Sequence, residues 1–212
     1  MPRLTPEQKK LNHDKILDAA GRGFRTHGVN GIGIADLMKA AEMTHGGFYN
    51  HFESKDDLTR EVIRQGFVSS LAALADIRDE HPGSALEHMV DQYLAAPHRD
   101  QPELGCASAA LVTDAARHGV AAQAEYQRGL DGFFAAITEM VLERADRSGV
   151  ETSADEAREQ AIAVFSQMVG ALVISRAVAK SSPELADEIL RANSTHLKRA
   201  TVTDRSLPVN NP

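Results

Sequence analysis

Thr44-His45-Gly46-Gly47-Phe48-Tyr49-Asn50-His51-Phe52-Glu53-Ser54-Lys55-Asp56-Asp57-Leu58 concentrates the side chains of this sequence that could do chemistry. Two imidazoles, a phenol, an amide and an ammonium can all donate hydrogen bonds to anionic oxygens. Two glycines let a backbone come close to a surface. Phe48 and Phe52 are too apolar for a fully solvated helix and too few for a fully buried one. The combination suits a helix anchored on one face and pressed on the other against a flat polyanion such as DNA. Covalent chemistry is not suggested: no nucleophile is spaced with a base, and there is no metal set or phosphate loop. His45 and His51 are six apart, so their imidazoles do not share a helical face and cannot chelate an ion. No catalytic residue, metal or cofactor is expected.

The second reactive group is Cys106, the single cysteine, which excludes an internal disulfide framework and fits a reducing cytoplasm. A helix over 103–117 would place this thiol near a positive dipole end that favours the thiolate, as in a sensor. The competing reading is a small buried hydrophobe.

The first stretch needs elements to hold it. Ile16, Ala20 and Phe24, with Leu17 alongside, form the stripe of a helix over about 7–27, which Gly28 ends by a left-handed cap. Ile34, Leu37, Met38 and Ala41 mark a helix over about 34–41. Glu42-Met43-Thr44 is a tight turn, and Thr44 N-caps a third helix over about 45–51. Met43 and Phe48 are expected to seal the corner against Ile16, Ala20 and Phe24. His45, Gly46, Tyr49 and Asn50 then face outward. Ser54 caps a long fourth helix to about residue 79, and Lys55 at its start could hold a phosphate together with the free amides. Further helices are predicted over about 84–96, 103–117, 120–147, 154–180 and 183–199, with a loop at Pro97–Pro102. Pro2 to Lys10, with Arg3, Lys9 and Lys10, reads as a mobile arm, solvated or following the DNA backbone. Residues 201–212 read as a disordered tail.

The 212 residues carry a net charge of −7, unevenly spread. Residues 1–60 hold nine Lys/Arg and eight Asp/Glu, whereas residues 61–212 hold 14 and 22. A local cationic face suffices for phosphate contacts, and the acidic remainder weakens non-specific binding. No apolar run reaches the ~18 residues of a membrane span, and no secretory leader is recognisable.

Residues 12–60 resemble the N-terminal domain of the tetracycline-repressor (TetR) family of bacterial transcription regulators. The resemblance rests on Ile16-Leu17-Asp18-Ala19-Ala20, Phe24, Gly28, Ile34-Ala35-Asp36-Leu37, Ala40-Ala41 and the specific run Gly47 to Leu58. It implies an all-α protein of about nine helices. A three-helix helix-turn-helix domain over 1–54, with its helix-turn-helix at about 33–52, would precede an effector-binding and dimerisation domain over 55–200. It also implies roles. Tyr49, His51 and Lys55 match positions at the DNA backbone, and His45, Gly46 and Gly47 match positions at the groove; Thr44 and Asn50 complete the DNA-binding set. Gly33 departs from the family, which often has Ser or Thr there to cap the second helix and touch a phosphate. Leu104-Gly105-Cys106 resembles a subgroup, some members of which sense electrophiles or oxidants.

In the body, Tyr93, Cys106, Leu111, Tyr126, Phe133, Phe134, Phe165 and Met168 are candidates for an effector pocket, with ordinary core as the alternative for each. Phe165, Val169, Leu172, Val173, Leu185 and Ile189 are candidates for a dimer interface. The expected function is a homodimeric, cytoplasmic regulator of transcription, a repressor on palindromic double-stranded DNA. A small apolar or electrophilic effector, or modification of Cys106, would release it by shifting the fourth helix, the only covalent bridge between the two expected domains. The alternatives are a structural protein that binds DNA without sequence preference and an all-α enzyme.

Overall fold

The computed structural model of the chain describes residues 5–200. The expected tail over 201–212 and Arg3 of the expected arm lie outside them. Ten α-helices and two 3-10 helices account for the described residues, which contain no strand. The α-helices are α1 (Pro6–His27), α2 (Ile34–Ala40), α3 (Lys55–Glu80), α4 (Ala85–Tyr93), α5 (Ala96–Asp100), α6 (Ala107–Ala110), α7 (Val112–Arg117), α8 (Gly119–Arg147), α9 (Ala154–Val178) and α10 (Pro183–Ala200). The all-α class holds. The α-helix count differs from nine because the predicted 103–117 helix divides into α6 and α7, the predicted 97–102 loop holds α5, and the predicted 45–51 helix is 3-10.

The described residues form two compact units. One holds the chain up to Ala72 together with Gln101–Asp131; the other holds Ala73–Asp100 and the chain from Gly132 onward. Residues 101–131 therefore belong with the N-terminal helices, and α3 is not the only stretch joining the units, since the chain also passes between them at 100–101 and within α8.

In the first unit α1 begins where Thr5 Oγ1 accepts from Gln8 N–H at 3.2 Å and Pro6 takes the first helical position. Lys9 and Lys10 are thus helical, not part of an arm. Ile16, Ala20 and Phe24 are fully buried, with Val29, Leu37, Met38, Phe48 and Leu58. Gly28 ends α1 at φ +73° and ψ 164°, a positive-φ conformation open to glycine but not the left-handed helical cap expected. At Gly31 a Cβ would lie 2.0 Å from the His27 carbonyl oxygen, so the connector tolerates only glycine there.

The turn after α2 is a Schellman motif. Met43 N–H donates to Met38 O at 2.8 Å and Glu42 N–H to Lys39 O at 3.1 Å. Glu42 occupies the left-handed position at φ +60°. Glu42→Gly removes that strain, so thermal melting is expected to show stabilisation of about 1 kcal/mol. A melting temperature that falls would contradict this account.

The second unit is built on α9 and α10. Ser153 and Glu156 form a reciprocal capping box at the start of α9. Ala161, Val164, Phe165, Met168, Ala171 and Leu172 give α9 its buried face, and Ser175 Oγ donates to Ala186 O at 2.8 Å. An 18-residue window of α9 reaches a mean hydropathy of 1.8, so the expectation that no segment is long and apolar enough to cross a membrane fails here. The core role of this helix accounts for its apolarity.

Pro97 does not open a loop. It sits in the first turn of α5, where its missing N–H costs nothing. Buried Arg99 fixes this short helix by donating to Asp187 at 2.6 Å and Asp100 at 2.7 Å, and these carboxylates hold its pKa above the ordinary arginine value.

Candidate nucleic-acid interface

Between α2 and α3 the chain forms a 3-10 helix, His45–Asn50, rather than the predicted α-helix. Three residues per turn put Gly46 and Tyr49 on one ridge. Phe48 and Phe52 turn inward as predicted, their rings 5.6 Å apart. Met38, fully buried, seals the corner more completely than half-buried Met43. Thr44 makes no side-chain cap; its carbonyl accepts from Gly47 N–H at 2.9 Å instead. The tighter 3-10 turn uses the amide that the hydroxyl would have capped.

The outward side carries Thr44, His45, Gly46, Tyr49 and Asn50, all exposed, with Gly47 and His51 half-buried. Tyr49 is 63% exposed although it is aromatic. A Cβ at Gly46 would meet nothing within 4 Å, and one at Gly47 would make only ordinary contact, 3.6 Å from Met38 Cε. Neither glycine has a positive φ. The protomer's own packing thus has no use for glycine at 46.

Lys55 has a partner within the protein. Its ammonium donates to Ile32 O at 2.6 Å and lies 5.9 Å from the centre of the Phe24 ring. It ties the start of α3 to the α1–α2 connector, leaving at most its remaining protons for a phosphate. Ser54 behaves as expected, accepting from Asp57 N–H at 3.1 Å. Gly33 caps α2 with no side-chain bond.

His13 escaped the sequence reading. Its ring stacks on Phe52 with centroids 4.6 Å apart, and its Nε2 lies 2.8 Å from Glu61 Oε1. No spacing rule connects residues so far apart. His51 stands beside it, with Nδ1 buried and without a partner. Burial first, then His13 and Lys9, hold its imidazole below the usual 6.5.

Cys106 sits in a small polar cluster of the first unit. Its Sγ is 2.9 Å from Ser108 Oγ and accepts from Ser70 Oγ at 3.8 Å. Tyr126 donates to Ser108 O at 2.7 Å and meets Phe67 edge-on at 5.1 Å. Burial, and next the nearby thiol, push the Tyr126 phenol well above its ordinary value. The predicted helix 103–117 is broken at Leu111, leaving Cys106 at the head of a four-residue helix. So short a helix supplies little dipole to activate the thiol.

The eight pocket candidates divide. Cys106, Leu111 and Tyr126 belong to the first unit; Tyr93, Phe133, Phe134, Phe165 and Met168 belong to the second. In the latter, Phe165 stacks on Phe133 at 5.0 Å and meets Phe134 edge-on at 5.9 Å, with Met168 fully buried. Among the dimer candidates, Phe165 and Leu172 are consumed by the core of the second unit and present no surface. Val169 and Ile189 are half-buried, and Val173 and Leu185 are exposed. Ile162 and Ile174 are exposed beside them, unforeseen because periodicity does not tell which apolar face of α9 meets α10. No group of three metal-ligating side chains occurs among the described residues.

Residues 16–62 match the tetR family of bacterial regulatory proteins. Over 62 residues the chain is 37% identical to the HTH-type transcriptional regulator AcrR of Shigella flexneri, covering 29% of each protein. Over 60 residues it is 32% identical to the HTH-type transcriptional repressor KstR2 of Mycolicibacterium smegmatis, covering 28% of this chain and 29% of that one. These matches span less than a third of the length of either relative. The fold extends further. The reduced form of E. coli NemR superposes with a TM-score of 0.73 at 19% identity, covering 89% of this chain and 96% of the other. A TetR-family transcriptional regulator from Agrobacterium tumefaciens gives 0.72 at 20%, covering 89% and 98%.

Proposed function

We infer that the chain, whose residues 16–62 match the tetR family of bacterial regulatory proteins, is a sequence-specific DNA-binding regulator of transcription acting as a homodimeric repressor. The observation that carries this reading is Gly46. An exposed ridge that ends in bare backbone beside an uncovered tyrosine serves a surface outside the protomer. Thr44, His45, Gly46, Gly47, Tyr49, Asn50 and His51 form the reading face, and Lys55 supports it from behind. Dimerisation through the exposed Ile162, Val173, Ile174 and Leu185 supplies a second reader for a palindromic operator. Selecting duplexes from a random pool tests the reading: enrichment of a palindrome supports it, and uniform affinity for all sequences replaces it with a structural DNA-binding protein.

Release would act through Cys106, within the first unit. An electrophile such as a quinone would form a bond from Cys106 Sγ to its alkene carbon, the π pair moving to the carbonyl, while the thiol gives its proton to water and the enolate takes one from water. The added group would have to displace Ser70 or Ser108 from the sulfur. Quinone treatment is expected to release wild-type protein from its selected duplex and to leave Cys106→Ser bound. Equal release of both proteins excludes the thiol and leaves a non-covalent effector.

His51 adds a pH dependence. Folding favours its neutral form, so stability from this site is intact above about pH 6.5 and declines below it, where the unfolded chain takes the proton first. A phosphate oxygen favours the cation, so operator binding takes up a proton and affinity rises as pH falls toward the lowered value of the free protein. Titrated binding should show this slope, and His51→Gln should flatten it; a variant retaining the full slope would remove His51 from the contact.

A further inference from the structure

The connector between α1 and α2 is held from an unexpected direction. Val29 N–H, at the end of α1, donates to Asp114 Oδ1 at 3.0 Å. Asp114 lies on α7 and is only 8% exposed. Both its carboxylate oxygens are 3.7 Å from where a Cβ of Gly28 would be. A buried carboxylate spent on one backbone amide is costly to place unless that amide must be held.

What the amide holds is the entry to the helix-turn-helix. Three residues on, Ile32 O accepts from Lys55 at the start of α3. Gly33 then begins α2 without a side-chain cap. Beside the local bond from Gly31 N–H to Gly28 O at 3.2 Å, the direction in which α2 leaves the connector therefore depends on these two tertiary bonds. A second clasp lies one turn further along α7: His118 Nδ1 is 3.1 Å from Asp56 Oδ1 in the first turn of α3. One short helix thus grips the end of α1 and the start of α3, the two elements that flank the helix-turn-helix.

We propose that Asp114 is a positioning residue for DNA reading, and that α6–α7 is the arm through which a change at Cys106, which heads it, reaches the helix-turn-helix. The proposal rests on the DNA-binding reading above. Asp114 touches no DNA. It sets the pose of α2 and the 3-10 helix, and loss of its bond lets the connector sample poses that mismatch the groove.

The test compares full-length wild type, D114A, D114N and D114E on a duplex selected by the wild type. D114A is expected to bind at least about tenfold more weakly while remaining folded, with faster hydrogen exchange at the Val29 amide. D114N keeps an acceptor in place and should stay within about threefold of wild type, with Val29 still protected. D114E keeps the charge but displaces it by a methylene, so it should follow D114A and serves as the second variant if D114A does not fold. Alkylation of Cys106 with N-ethylmaleimide should release wild type and add less than about twofold to the loss already present in D114E. Wild-type affinity in both D114A and D114E, or a D114N as weak as D114E, overturns the positioning role. An alkylated wild type that still binds overturns the arm. If the wild type enriches no duplex, the DNA-reading assignment fails first, a result distinct from either.

Discussion

Gly46→Leu is expected to lower operator affinity about a hundredfold while leaving the fold intact or slightly more stable, a gap of roughly 2.7 kcal/mol in binding. The two effects have opposite signs because they arise in different places. Within the protomer a side chain at 46 meets nothing within 4 Å and the backbone has no positive φ, so replacing glycine reduces the entropy of the unfolded chain at no steric cost. Against a base edge, the added carbons must occupy the space through which the backbone approaches. Gly46→Ala should show the same split at smaller size. Anisotropy titrations beside thermal melts separate the two quantities. Unchanged affinity in Gly46→Leu would place the reading face elsewhere on the first unit.

Phe48→Ala is expected to destabilise the first unit by about 3–5 kcal/mol and to abolish operator binding with it. Phe48 is fully buried at the corner, stacked on Phe52 at 5.6 Å and edge-on to Tyr49 at 5.3 Å. The ring carries contacts that a short 3-10 helix, with weak hydrogen bonds of its own, cannot replace. Denaturant unfolding should show the loss as a lower midpoint. Tyr49→Ala, which removes an exposed ring, should leave the midpoint nearly unchanged and affect binding alone. If Phe48→Ala unfolds like wild type, the corner is not what holds the reading face.

The two variants separate what can be read in a chain from what cannot. Local rules carried the long helices: the stripe Ile16–Ala20–Phe24, the end of α1 at a positive-φ Gly28, the Ser54 cap and the inward pair Phe48 and Phe52 all stand where spacing and cap chemistry put them. These depend on neighbours within a turn or two, and such neighbours are fixed by covalent proximity. The sequence by itself thus determined the helical class, the inward and outward faces of the reading segment and the family that this segment resembles.

Only the tertiary structure decided the rest. Lys55 looks like a free cation in the sequence, yet Ile32 O claims it from 23 residues away. Residues 103–117 read as one helix around a dipole-activated thiol, yet the helix breaks at Leu111, which is fully buried, and Ala107 packs against Gly66 on α3. Phe165 and Leu172 are apolar like Val173 and Ile174 on the same helix, and only packing within the second unit separates core from surface. Asp114 gives no local sign that it will hold Val29, 85 residues away. In each case a partner far along the chain supplies an interaction stronger than the local preference, and periodicity carries no information about such partners.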